Sequence, residues 1–122
     1  MTSGAETTPE PLRNEDLADV HRELVSLSAA LDRAIDEAPD AATVRRLTAQ
    51  IAALNVRITA VGRQLFATRS AEIAAAARDI HDSIPEVERA LADLASLDDA
   101  LSGLTAVLGI VDKAVGIANS AG

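Results

Sequence analysis

Cysteine, tryptophan and tyrosine are absent from this 122-residue chain, and phenylalanine occurs once, at Phe66. Without cysteine there is no disulfide framework, no thiol nucleophile and no thiolate metal ligand. Without a set of aromatics there is no stacking platform for single-stranded nucleic acid. Lysine is almost missing too: Lys113 stands alone, and the remaining positive charge is arginine. No run reaches the roughly 18 apolar residues of a membrane span. Residues 1–13 are polar and acidic and carry no apolar stretch of the secretory type, so the sequence predicts a cytoplasmic protein, leaderless export being its alternative. Glycine-rich phosphate loops and a glycine elbow around a serine are also lacking.

What is present is alanine, leucine, valine and isoleucine, which with the other apolar types make up 48% of the chain. Residues of this kind, with few glycines and prolines, predict an all-α protein of long helices rather than a mixed sheet. The net charge of −8 opposes general nucleic-acid binding. The charge is segregated along the chain. Residues 1–40 hold ten acids against Arg13, Arg22 and Arg33. Residues 41–71 hold Arg45, Arg46, Arg57, Arg63 and Arg69 and no acid. Residues 72–122 hold nine acids against Arg78, Arg89 and Lys113. A basic middle helix between acidic neighbours reads as interhelical pairing that selects orientation and partner.

Apolar spacing sets the elements. Residues 1–12 read as a flexible tail and residues 13–122 as a single helical-bundle domain. Asn14 is placed to cap helix 1, over 14–38, whose seam runs through Leu17, Val20, Leu24, Leu27 and Leu31. Pro39 ends it and Asp40 caps the next. Helix 2 is expected over 40–82. Val44, Leu47, Ile51, Leu54, Ile58, Val61 and Leu65 keep heptad spacing, and the seam then slips at Thr68 and Glu72. A four-residue stutter accounts for the slip, with a break near Thr68–Ser70 as the alternative. Ser83-Ile84-Pro85-Glu86 has the form of a capping box with proline in the first turn, and so starts helix 3, over 84–119. A second cap at Ser96–Asp99 would split helix 3.

Short turns make consecutive helices antiparallel, giving an elongated three-helix bundle or coiled-coil hairpin. At 1.5 Å per residue the helices would be ~36, ~65 and ~54 Å long. Helix 1 is then too short to cover the end formed by residues 66–100. Ile73, Ile80, Ile84, Val87, Leu91, Leu94 and Leu97 would be left as an exposed apolar patch, the expected site of self-association or of binding to a partner helix.

The C-terminal segment has apolar residues on more than one face and no charge from Ala100 to Val111. Gly103, Val107, Gly109, Ile110, Gly116 and Ile117 fall off its main seam. They would serve close packing inside the bundle, a second protomer, or a membrane surface contacted by residues 100–118.

No constellation points to catalysis or to a cofactor. His21 and His81 lack the glutamates a di-iron helix would need, since Ala18 and Arg78 stand three residues before them. Asp79 and Asp82 near His81 do not share its helix face and read as solvated. The pairs Asp36/Glu37 and Asp98/Asp99 likewise read as solvent-facing acids rather than an acid–base dyad. The expectation is therefore a non-enzymatic helical interaction protein. A membrane-active protein and an acidic inhibitor that masks a basic surface are its alternatives.

Overall fold

A computed structural model describes residues 13–121 and is helical almost throughout. Its helices are α1 (Glu15–Asp36), α2 (Ala41–Gly62), α3 (Ala71–Leu91) and α4 (Leu97–Ala121), with a 3-10 turn at Leu94–Ser96 before α4. α1 packs on α2 and α3, and α4 packs on α3 and α2, so α1 and α4 lie across one diagonal and α2 and α3 across the other. Side-chain bonds fix the directions. Arg46–Asp98, Arg57–Asp112 and Gln64–Asn119 ascend together, so α2 and α4 run parallel. Glu23–His81 and Ser26–Glu88 do the same for α1 and α3.

The helices are nearly equal in length, about 32–38 Å, which corrects the expectation of three unequal ones. Helix 2 does not run through 40–82. It stops at Gly62, and the chain resumes as helix only at Ala71. The Arg63 N–H still reaches the Thr59 carbonyl at 3.1 Å and Gln64 N–H the Val61 carbonyl at 2.9 Å, after which the ladder ends. Ser70 then caps α3, accepting from Ile73 N–H at 3.1 Å. The failed seam at Thr68 thus marks a real break, the alternative weighed against a stutter.

The boundary expected at Ser83–Pro85 is absent. Pro85 lies inside α3, and Ser83 donates its hydroxyl back to the Asp79 carbonyl at 2.8 Å instead of capping forward. A proline in a helix interior costs about 3 kcal/mol. Ile80, Ile84, Val87 and Leu91 are all buried around it, and each contributes roughly 1.5–3 kcal/mol by burial, so packing overrides the local stop signal. Helix 3 is split instead at Ala92–Ser96, where the Asp93 carboxylate accepts from Ala95 N–H at 3.1 Å.

The local caps at the other end follow the sequence. Asn14 accepts from Leu17 N–H at 3.1 Å, and Asp40 from Thr43 N–H at 2.8 Å. That second bond holds the exposed Asp40 carboxyl below its ordinary value. One core runs the length of the molecule, with Leu17, Leu24, Leu31, Leu47, Leu54, Ile73, Ile80, Leu104 and Val107 fully enclosed. α2 is the least buried helix, contributing only Leu47, Leu54 and Val61 to the fully buried set.

Candidate interaction surfaces

The apolar patch expected at residues 66–100 does not face solvent. Ile73, Ile80, Ile84, Val87, Leu91 and Leu97 are buried, and Leu94 is partly buried against the same core. The length argument had left them without a third helix. With the break at 63–70, α3 packs against α1, and the apolar residues of both helices join one core.

The second set of sequence candidates divides. Val107 is enclosed, and Ile110 and Ile117 rest half-buried on the core. Gly103 meets α3 closely: a Cβ there would lie 3.1 Å from Val87 Cγ2. Gly109 and Gly116 are different, since a Cβ at either would meet nothing within 4 Å. They stand on the outer side of α4 with exposed Ser102, Thr105 and Ala106. Next to this side, on α2, Val56 is 67% exposed and Ala49 and Ala52 are exposed as well. Arg46–Asp98 at 2.7 Å and Arg57–Asp112 at 3.0 Å clasp the two helices together. The face formed by α2 and α4 is therefore smooth, with small side chains at its centre.

The opposite side of the molecule carries polar clefts between α1 and α3. One, of about 450 Å³, is lined by Asp16, Asp19, Arg22, Glu23, Ala74, Ala77, Arg78 and His81. Across it His81 Nδ1 pairs with the Glu23 carboxylate. That hydrogen bond, the Glu23 charge and the more distant Asp82 and Asp19 raise the His81 pKa above 6.5. The other Glu23 oxygen is enclosed without a partner. No group of three His, Cys, Asp or Glu side chains converges on a metal position among the described residues. Sequence reasoning set His81 among solvated residues, and its side chain is 71% exposed, but the pairing with Glu23 was not foreseen. Its partner lies 58 positions away, and no spacing rule links them.

A third feature lies where α2 crosses to α3. Phe66 is 64% exposed and borders a cleft of about 280 Å³ with Arg13, Asn14, Ala67, Thr68 and Arg69. No protein-family model matches the chain, and neither a curated protein nor a solved structure is detectably similar to it.

Proposed function

We propose that this chain is a non-enzymatic helical interaction protein that pairs with a second copy of itself through the face formed by α2 and α4. The reading is carried by Gly109 and Gly116. A glycine inside a helix costs about 1 kcal/mol relative to alanine, and no described neighbour approaches either one. Close approach of another backbone is the use to which such glycines are suited. Gly109 lies within the stretch Ala100 to Val111, which has no charge, and Gly116 follows it beyond Asp112 and Lys113; Val56 of α2 is exposed as well.

Charge placement favours a second copy as the occupant. A two-fold axis parallel to the helices sets α2 of one copy over α4 of the other. Arg46 pairs with Asp98 within the chain, so that arrangement brings exposed Arg45 level with Asp98 of the other copy, an isologous and complementary contact.

Sedimentation equilibrium and light scattering at high micromolar concentration test this. The unmodified chain is expected to run as a dimer. Val56→Glu and Gly109→Glu are expected to shift it to monomer while circular dichroism stays helical. A monomeric wild type, or variants that dimerise equally well, would sink the reading.

A second reading rests on the apolar character of α4. The stretch Leu94–Ser120 is long and apolar enough by composition to cross a membrane, and only a third of its most apolar window is buried. Residues 100–118 would then meet a lipid surface, with Lys113 as their one basic residue. Flotation with neutral and with anionic vesicles separates the readings: co-flotation of the wild type supports the membrane, and its absence in both leaves the dimer.

A further inference from the structure

Phe66 is the chain's only aromatic residue, yet it contributes little to the core. It sits in the one long connection among the described residues, between α2 and α3. That connection is firmly held. Asn14 donates its backbone N–H to the Leu65 carbonyl at 2.7 Å and its amide to the Ala67 carbonyl at 3.3 Å. Ala67 N–H reaches the Gln64 carbonyl at 3.0 Å, and the Gln64 amide binds Asn119 at 2.6 Å. The phenyl ring is thus presented to solvent by a backbone bonded on both sides of it.

The cleft beside the ring combines an apolar floor with two cations. Its lining contains Arg13 and Arg69 and no acid, in a chain of net charge −8. The larger clefts between α1 and α3 contain acids in every case described, Asp16, Asp19 and Glu23 in one and Glu37 and Glu88 in the other. Neither Arg13 nor Arg69 enters an ion pair with another described residue. A phenyl ring that shares a cleft with two guanidinium groups suits a ligand that presents carboxylate next to an apolar group. The volume of about 280 Å³ lies at the small end of ligand sites and accommodates a few side chains. A long polyanion is disfavoured, because two arginines match few of its charges while the net charge of −8 repels the rest.

We propose that this cleft is a docking site for a short acidic peptide segment bearing an apolar side chain, which lies on Phe66 while its carboxylates engage Arg13 and Arg69. The site is separate from the face formed by α2 and α4 and does not depend on it.

The test is a titration of the full chain followed by amide and aromatic NMR. The Phe66 ring supplies the only phenyl signals. The probe is a capped hexapeptide of alternating glutamate and leucine, with the lysine–leucine hexapeptide as control. Saturable shifts at Phe66 to Arg69 with the acidic peptide alone, weakened by added salt, are expected. Arg13→Gln combined with Arg69→Gln should lower the affinity at least tenfold, and Phe66→Ala should do so when followed at the amides of Ala67 and Thr68. Both substitutions alter exposed side chains, so helicity checked by circular dichroism should not change.

No shift up to millimolar peptide would overturn the proposal, as would equal binding of the basic peptide or unchanged affinity in the variants. Nuclear Overhauser contacts from the Phe66 ring to residues 1–12 in the free protein would also overturn it, by showing the cleft filled from within the chain.

Discussion

Asn14 donates its backbone N–H to the carbonyl of Leu65 at 2.7 Å, joining the start of α1 to the end of α2. The same residue caps α1 through Leu17 N–H and holds Ala67 through its side-chain amide. It is 1% exposed and the only buried polar residue among the described residues. Three segments therefore meet at one residue, and the crossing from α2 to α3 is anchored there.

Replacing Asn14 with alanine should remove the cap and leave the buried Leu17 N–H and the Ala67 carbonyl without these partners. Loss of about 2–3 kcal/mol is expected, read as a lower midpoint in urea unfolding. Asn14→Asp keeps an acceptor for Leu17 N–H but sets a carboxylate against the Ala67 carbonyl. It should fall between wild type and Asn14→Ala. Equal stability of the alanine variant and wild type would remove the anchoring role.

Pro85→Ala distinguishes a proline inside a helix from one that starts a helix. Inside α3 the ring removes the N–H that would bond to the His81 carbonyl. Alanine restores that bond, and stabilisation of about 1–3 kcal/mol is expected. If Ser83–Glu86 began a helix, the same change would be neutral or destabilising.

Much of the helix layout was legible because it is written locally. The caps at Asn14 and Asp40 and the seam from Val44 to Val61 are short-range signals, and the structure follows them, whereas Leu65 falls beyond the end of α2. The break at Gly62–Ser70 was visible only as two polar residues in seam positions, which a stutter explains equally well. The choice between those two depended on whether α3 would gain cover from α1, a contact between residues more than fifty positions apart. Pro85 was misleading for the same reason: Ser-x-Pro-Glu carries a helix-start signal that burial of Ile84 and Val87 in the core overrides. Once those two boundaries moved, the patch expected at Ile73–Leu97 became interior. Gly109 and Gly116 were legible as unusual, but their exposure required the rotation of α4 to be known.

The glycines of α4 should respond in opposite senses. At concentrations low enough to keep the chain monomeric, Gly109→Ala and Gly116→Ala add a methyl that meets no described atom within 4 Å and should each stabilise by about 0.5–1 kcal/mol. That is a rise of about 2–4 °C in Tm for a domain of this size, at roughly 4 °C per kcal/mol. Gly103→Ala gains the same helix propensity but drives its Cβ to 3.1 Å from Val87 Cγ2. Val87 is buried, and its χ1 is restricted in a helix, so the gain should be lost or reversed. Thermal melts of the three variants should therefore place Gly103→Ala below the other two.

The His81–Glu23 pair links α3 to α1 and makes this contact respond to pH. The Glu23 hydrogen bond raises the His81 pKa above 6.5, with Glu23, Asp82 and Asp19 charges adding to it. Arg22 and Arg78 line the same cleft and oppose protonation. A histidine whose pKa is higher when folded binds its proton more tightly in the folded state. Its contribution is therefore complete below the unfolded value near 6.5 and disappears as pH rises through the folded value. Stability measured by urea unfolding should be greater at pH 6 than at pH 8 through this pair. His81→Gln or Glu23→Gln should remove that difference, leaving the caps and the core unchanged. Proton NMR of the wild type should show His81 titrating above 6.5, and Glu23→Gln should bring it down. A His81 that titrates at or below 6.5, or a pH dependence that survives both substitutions, would show that the pair does not couple α1 to α3.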